Sequence, residues 1–183
     1  MEKTIINLRS ALIGETTASA KYAAFSKKAK EEGNLKISLM FEAISRSESI
    51  HAMNHKRALE FLLKDTVEVE PGEFKIKSTL DNLQDAINGE SYEVSTMYPE
   101  FIEVATNEDV KGARSTFSYA FETEKKHKIL FENALNEMKN NNESILTSTY
   151  YICPVCGYTY TEFDVKDACE ICNTKKEKFI IFQ

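Results

Sequence analysis

Glu48-Ser-Ile-His51 and Glu124-Lys-Lys-His127 are the stretches that decide the fold of this 183-residue chain. Residues three apart on a helix lie on one face, one turn apart, so each stretch can direct a carboxylate and an imidazole at the same point. Two further acids in other helix-length stretches complete the set: Glu15 and Glu90. Two Glu-x-x-His pairs and one Glu from each of two other helices are the ligands of a di-iron site inside a four-helix bundle. The sequence therefore predicts a bundle that encloses two iron ions.

The two halves of the helical region repeat the same pattern. Gly14-Glu15 recurs as Gly89-Glu90, and Phe41 stands before Glu48 as Phe117 stands before Glu124. An internal duplication explains this agreement better than chance. We therefore expect each half to bring its ligands to the same depth, related by an approximate twofold axis.

Glu93 breaks this symmetry, since its counterpart in the first half is Ala18. The extra carboxylate could provide a seventh ligand to the iron that the first half's histidine, His51, also binds. The alternative is an acid that faces solvent. His55, the third histidine, has no repeated partner, and we expect it at the surface or behind the metal ligands.

Apolar residues at helical spacing predict four long helices, at about 4–32, 35–64, 78–106 and 107–139. Ser78 is the expected N-cap of the third helix, and Asn107-Glu108-Asp109 is the expected start of the fourth. Pro99 should kink the third helix because it has no N–H to donate. The connections are short, long and short, which is typical of the ferritin-like bundle with one crossover.

The C-terminal segment carries a second metal motif, formed by Cys153-Pro-Val-Cys156 and Cys169-Glu-Ile-Cys172. Two Cys-x-x-Cys pairs at this spacing predict one tetrahedral four-thiolate site, which accepts zinc as well as iron. Short β-type runs at 150–152 and 178–182 surround the cysteines. A segment this small needs its metal to fold. We predict a ferritin-like domain at residues 1–141 and a knuckle domain at 149–183, joined by the polar linker that begins at Asn140.

Composition limits the possible partners and location. The net charge is −6 and the sequence pI is about 5.3, with no block of Lys or Arg, so nucleic acid is not an expected partner. The chain has no apolar run long enough to span a membrane and does not begin like a signal peptide. We expect a cytoplasmic protein without membrane contact.

The sequence resembles the rubrerythrins over essentially its whole length. Gly89-Glu90-Ser-Tyr-Glu93 followed by Met97-Tyr-Pro-Glu-Phe101, between the two Glu-x-x-His pairs, carries the resemblance. It implies an all-α, ferritin-like bundle with a rubredoxin-like C-terminal domain, two irons in the bundle and one iron in an Fe(Cys)4 site. It also implies that Glu93 and His51 alternate as ligands to one iron when the oxidation state changes. Tyr22 and Tyr98 lie where the family has tyrosines that hydrogen-bond to the site, although their spacing also fits simple core packing.

The cysteine segment departs from the rubredoxin pattern in its second half. Asn173 follows the second cysteine pair, where glycine is usual, and the usual tryptophan before the first pair is absent, with Tyr150 and Tyr151 nearby. Asparagine tolerates the left-handed backbone conformation better than most residues. We therefore expect the turn to be retained.

Two irons, an Fe(Cys)4 site and an extra carboxylate predict a non-haem di-iron peroxidase that reduces hydrogen peroxide to water. Each bundle iron would supply one electron, and Glu93 would be a candidate proton donor. Electrons would come from a rubredoxin or a flavoprotein reductase that uses NADH, since the chain has no dinucleotide motif. A tethered tail could reach a partner's bundle more easily than its own, which favours a head-to-tail homodimer, as the resemblance also implies.

Two alternatives compete with this interpretation. A ferroxidase and iron-storage protein like bacterioferritin shares both Glu-x-x-His motifs but needs neither Glu93 nor the cysteines. A structural zinc protein would hold zinc at the cysteines and leave the bundle acids in solvent.

Overall fold

The computed structural model describes the backbone of residues 1–183 and every side chain except that of Glu143. The helical part contains α1, α2, α3, a π-helical turn, α4 and α5. Their bounds are Glu2–Glu31, Leu35–Leu63, Thr79–Tyr92, Glu93–Met97, Tyr98–Asn107 and Lys111–Lys139. Since α3, the π turn and α4 follow one another directly, they form the third helix that the sequence predicts. The prediction of an all-α, ferritin-like four-helix bundle is confirmed.

Local chemistry explains where α3 begins and why α4 and α5 are separate helices. Ser78 is the N-cap of α3, and its Oγ accepts a hydrogen bond from the backbone N of Asp81 at 3.2 Å. The expected start of the fourth helix at 107–109 is wrong, because α4 continues to Asn107 and α5 begins only at Lys111. Asp109 has φ +52°, a left-handed conformation that cannot belong to a right-handed helix.

The irregularity expected at Pro99 takes the form of the π turn immediately before it. Pro99 occupies the first turn of α4, where its missing N–H costs least. The π turn at Glu93–Met97 absorbs the change in hydrogen-bond pattern upstream. Such turns insert a residue into a helix and occur often at functional sites.

Two apolar clusters lie inside the bundle. One is centred on Phe25, Phe41 and Phe131, and the other contains Phe101 and Phe117. α1 packs along α2, and α3 packs along α5. Phe25, Phe41, Phe117 and Phe131 are among the largest fully buried side chains of the bundle.

The C-terminal part is a three-stranded antiparallel sheet in the order β2-β1-β3. The strands are β1 Tyr150–Ile152, β2 Thr159–Thr161 and β3 Ile180–Phe182. Tyr151 of β1 lies opposite Tyr160 of β2 and Ile181 of β3. The sequence predicts β1 and β3 but misses β2, because Thr159–Thr161 has no aliphatic residue like those that mark the other two strands. The limits predicted for the two domains, 1–141 and 149–183, stay a prediction.

The C-terminal part lies on the bundle of its own chain. Oγ of Ser47 donates a hydrogen bond to the carbonyl of Gly157 at 2.6 Å, and Nδ2 of Asn54 donates one to the carbonyl of Val155 at 2.8 Å. Lys126 and Asp164 form an ion pair between the same two parts. The tail therefore contacts the bundle of its own chain, and the expectation that it reaches a partner's bundle more easily stays a prediction. Among the described helices, none combines the length and apolar character that a membrane span requires.

Candidate metal centres

Six of the seven oxygen and nitrogen ligands predicted for the bundle lie together at its centre. They form two groups of four whose ligand atoms lie within 4.8 Å of one another. One group contains Glu15, Glu48, His51 and Glu124, and the other contains Glu48, Glu90, Glu124 and His127. Each group has one histidine and one acid of its own, and both share Glu48 and Glu124. The arrangement follows the twofold relation that the duplicated motifs predict.

The shared acids have a bridging geometry. Oε2 of Glu48 lies 2.9 Å from Nδ1 of His51, and its Oε1 lies 3.1 Å from Nδ1 of His127. Glu124 mirrors this, with Oε1 2.9 Å from Nδ1 of His51 and Oε2 2.7 Å from Nδ1 of His127. Each carboxylate therefore presents one oxygen to each half of the site.

Burial and mutual charge perturb the pKa of these groups strongly. Burial raises the pKa of Glu90 well above its usual value, and the charges of Glu124 and Glu48 raise it further. Burial alone would lower the pKa of His127, but Glu48 and Glu124 raise it to about 10. Four carboxylates inside an apolar bundle thus require protons or cations to compensate them.

Unpaired atoms show that the donor set fits metal ions. Several buried atoms make no properly oriented hydrogen bond with a described residue, even where two of them are as close as 2.7 Å: Oε2 of Glu15, Oε2 of Glu90, both carboxylate oxygens of Glu124 and Nδ1 of His127. Buried polar groups rarely stay unpaired without a reason. Two divalent cations between the carboxylates and the Nδ1 atoms would satisfy them and balance four negative charges.

Two tyrosines extend the site across the twofold axis. The hydroxyl of Tyr22 donates a hydrogen bond to Oε1 of Glu90 at 2.6 Å, and the hydroxyl of Tyr98 donates one to Oε1 of Glu15. Each tyrosine thus holds an acid from the opposite half. Both side chains are buried, so they belong to the core as well as to the site.

Glu93 lies outside both groups of four. It is the first residue of the π turn and is partly exposed. Burial of its carboxyl and the charges of Glu90 and Glu15 raise its pKa well above the usual value. The charges of the site therefore act on the carboxyl of Glu93, but its role as a ligand stays a prediction.

His55 is not at the surface, which corrects one of the two placements expected for it. It is fully buried, and its Nε2 lies 3.1 Å from the hydroxyl of Tyr98. Its Nδ1 lies 3.1 Å from Oγ1 of Thr116. Its place behind the metal ligands was the other expected position. The sequence does not suggest Thr116 as a partner, because His55 and Thr116 are 61 residues apart along the chain.

The four cysteines form the second metal centre. Sγ of Cys153 lies 3.4 Å from Sγ of Cys172, and Sγ of Cys156 lies 3.5 Å from Sγ of Cys169. The two knuckles use the same backbone device, a left-handed residue directly after the second cysteine of each pair. These residues are Gly157, with φ +86°, and Asn173, with φ +61°. The expectation that asparagine keeps the second turn is confirmed.

The two centres are joined by hydrogen bonds. Nε2 of His51 lies 3.1 Å from the carbonyl of Cys156, and Nε2 of His127 lies 2.9 Å from Oγ1 of Thr159. A histidine that binds a metal through one nitrogen usually donates its other N–H to a fixed acceptor. Here the cysteine segment supplies both acceptors, which leaves both Nδ1 atoms free to face the carboxylates.

Comparison with known proteins decides the family. A family model described as rubrerythrin matches residues 7–135. This chain belongs to the rubrerythrin family. It is 41% identical to rubrerythrin-2 of Clostridium acetobutylicum over 175 residues, which cover 96% of this chain and 94% of the relative. Nigerythrin of Nitratidesulfovibrio vulgaris is 35% identical over 98% of this chain and 86% of its own length.

Solved structures agree with the sequence comparison. The fully reduced, all-ferrous state of nigerythrin matches with a TM-score of 0.89 at 32% identity, covering 98% of this chain and 86% of that one. The bacterioferritin of Rhodobacter capsulatus matches with a TM-score of 0.71 at 19% identity, which shows a shared fold alone. Family and donor sets together confirm a ferritin-like oxidoreductase with a di-iron site and an Fe(Cys)4 site.

Proposed function

We propose that this rubrerythrin-family protein is a non-haem di-iron peroxidase that reduces hydrogen peroxide to water and is re-reduced through its own Fe(Cys)4 site. Such an activity would serve in defence against oxidative stress. In this proposal the bundle ligands are the six clustered residues, Glu15, Glu48, His51, Glu90, Glu124 and His127, with Glu93 as the seventh. The Fe(Cys)4 ligands are Cys153, Cys156, Cys169 and Cys172.

The observation that carries the proposal is the hydrogen bond between the two centres. His51 is a proposed bundle ligand, and Cys156 is a proposed thiolate ligand of the other site. The imidazole of His51 contacts the backbone carbonyl of Cys156, so a single hydrogen bond connects the two centres. An iron-storage protein has no use for such a link, whereas an enzyme that must be re-reduced after each turnover does. The link therefore favours a peroxidase over a ferroxidase.

When bound, the two bundle irons supply the two electrons that cleave the O–O bond of peroxide. The reaction also consumes two protons for the two waters that form. Glu93 is suited to deliver one of them, since burial and the charges of Glu90 and Glu15 raise the pKa of its carboxyl and so favour the protonated form. It is also the first residue of the π turn, and such turns occur often at functional sites.

Tyr22 and Tyr98 act on the acids that each half presents. Their hydroxyls donate hydrogen bonds to Glu90 and Glu15, which fixes one oxygen of each acid and leaves the other free for a metal. Burial and the charges of nearby acids raise the pKa of both phenols well above the usual value. Both tyrosines therefore stay protonated and remain donors throughout the reaction.

The proposal includes partners. A rubredoxin or a flavoprotein reductase that uses NADH would deliver electrons one at a time to the Fe(Cys)4 site. We also propose a homodimer and a cytoplasmic location. In the chain as described, the tail already contacts its own bundle, so the dimer is not required to bring the two centres together.

Steady-state kinetics test the proposed activity. With NADH, a flavoprotein reductase and a rubredoxin present, we expect NADH consumption to depend on hydrogen peroxide and to exceed the rate with oxygen at equal concentration. A protein that oxidises and retains added ferrous iron, and that consumes no NADH with peroxide, would instead be a ferroxidase. A variant that cannot bind iron in the tail is the control for reductase background.

A further inference from the structure

The duplicated halves differ in one side chain that packs against the buried tyrosines Tyr22 and Tyr98. At the position that corresponds to His55, the second half carries Phe131. The ring of Phe131 lies 5.2 Å from that of Tyr22, and the ring of His55 lies 6.0 Å from that of Tyr98. Both tyrosines thus pack against a ring from a neighbouring helix, but only Tyr98 packs against one that can hydrogen-bond.

His55 joins a chain of hydrogen bonds that runs from α5 to the di-iron site. Oγ1 of Thr116 lies 3.1 Å from Nδ1 of His55, and Nε2 of His55 lies 3.1 Å from the hydroxyl of Tyr98. The hydroxyl of Tyr98 in turn bonds to Oε1 of Glu15. His55, Tyr98 and Glu15 are almost completely buried and Thr116 is 6% exposed, so solvent does not compete strongly for these bonds.

The direction of each bond follows from the acceptor at its end. A metal-bound carboxylate can only accept, so the proton of the Tyr98 hydroxyl points at Glu15. The hydroxyl oxygen must then accept from Nε2–H of His55. Nε2 of His55 therefore carries an N–H, and its Nδ1 shares a hydrogen bond with the hydroxyl of Thr116. One arrangement of protons satisfies all four groups.

We propose that His55 is a positioning residue for one half of the di-iron site, acting through Tyr98 on Glu15. The imidazole N–H holds the Tyr98 hydroxyl in one orientation and strengthens its donation, because hydrogen bonds in a chain polarise one another. Oε1 of Glu15 is thereby held in place, and Oε2 is left for the metal ion that His51 also faces.

The second half has no such support. Phe131 offers Tyr22 only a ring face, so among the described residues the Tyr22 hydroxyl has no hydrogen-bond partner besides Glu90. The Glu15 side of the di-iron site has the stronger support. It is also the side whose iron Glu93 is predicted to bind. If His51 and Glu93 alternate as ligands, Glu15 would stay in place together with Glu48 and Glu124, and His55 would help to hold it there. This consequence rests on the proposed function, whereas the positioning itself does not.

Metal binding tests the inference without any turnover. Protein freed of its bundle iron, with its cysteine site filled, is titrated with Co²⁺ and followed by calorimetry and by the d–d absorption bands. The parent should bind two ions in two steps. His55→Phe, which copies the second half, should weaken one step by about 10- to 100-fold, the usual effect of losing an outer hydrogen bond, and leave the other unchanged.

Control variants identify the step and its cause. Tyr98→Phe should weaken the same step, and the double variant with His55→Phe should lose little more, because both act through one bond. Tyr22→Phe should weaken the other step. His55→Gln keeps an N–H where Nε2 stands and should restore binding, and Phe131→Leu, which changes the matched ring, should alter neither step. If His55→Phe weakens both steps equally or neither, or if His55→Gln is as weak as His55→Phe, the inference is wrong, whether or not the protein reduces peroxide.

Discussion

Replacing Gly157 by alanine should separate the cysteine segment from the bundle. A Cβ at this position would lie 2.4 Å from Nε2 of His51 and 3.2 Å from Oγ of Ser47. Both neighbours are almost completely buried, so moving either one disturbs the packing around it. The first distance is far below van der Waals contact, so either the knuckle or α2 must move. The knuckle is the smaller unit, and we expect it to move.

The size of the effect follows from the bonds that would break. The movement removes the hydrogen bond from Ser47 to the Gly157 carbonyl and the one between His51 and the Cys156 carbonyl. At about 1 kcal/mol each, their loss weakens docking by roughly 2 kcal/mol. That change corresponds to an approximately 30-fold lower docking constant. Gly157 also has φ +86°, so alanine adds about 1–2 kcal/mol of strain inside the knuckle.

Stopped-flow absorption separates the docking effect from the strain. After peroxide oxidises the bundle of the reduced protein, the return of the Fe(Cys)4 colour reports electron transfer from the tail. Asn173→Ala is the matched control, because Asn173 has φ +61° in the other knuckle and is exposed. We expect slow colour return for Gly157→Ala and a nearly normal rate for Asn173→Ala. Equal rates for Gly157→Ala and the parent would refute the docked arrangement.

Three further predictions concern other parts of the chain. Glu93→Ala should keep two bundle irons but lose more activity with peroxide than with oxygen, because the extra acid is present in one half of the sequence only. Equal losses with both oxidants would show that Glu93 has no specific role in the reaction with peroxide. Cys156→Ser should abolish the visible Fe(Cys)4 spectrum and electron entry. Circular dichroism should show that the bundle keeps its helicity, since the two ligand sets occupy separate parts of the chain. A large loss of helicity would show that the two parts fold as one cooperative unit. Hydrogen bonds from Thr4 lower the pKa of Glu108 from 4.5 to about 2. The ionised carboxylate therefore stabilises the fold above pH 4.5, and this stabilisation is lost as the pH falls toward 2. Urea unfolding of Glu108→Gln should therefore differ from the parent at pH 6 and converge with it at low pH, and a constant difference would contradict the shift.

The sequence predicts what depends on periodicity and on repeated motifs. The helices follow from apolar spacing, and the six clustered ligands follow from the Glu-x-x-His pairs with Glu15 and Glu90, because residues three apart on a helix share a face. The Cys-x-x-Cys pairs likewise predict their site, since the knuckle is a local structure.

Contacts between distant residues could not be predicted in this way. His55 meets Tyr98 and Thr116 across 43 and 61 residues, and no local pattern marks either contact. The duplication contains a signal, because His55 and Phe131 occupy matched positions and differ in chemistry. The contact of the tail with its own bundle depends on Gly157 and on the shape of α2, which spacing alone does not reveal. The start of α5 was misplaced because Asp109 resembles a helix cap but adopts a left-handed turn.

The central claim is that peroxide takes electrons from the bundle and that the Fe(Cys)4 site replaces them. Anaerobic titration of the fully reduced protein with hydrogen peroxide tests it most directly, with both iron centres followed by their spectra. Since each peroxide takes two electrons, we predict that about one and a half equivalents per chain oxidise all three irons, and that the Fe(Cys)4 colour returns through the bundle. In Cys156→Ser, about one equivalent should suffice. A bundle that peroxide does not oxidise, or an Fe(Cys)4 site that stays reduced after the bundle is oxidised, would contradict the account.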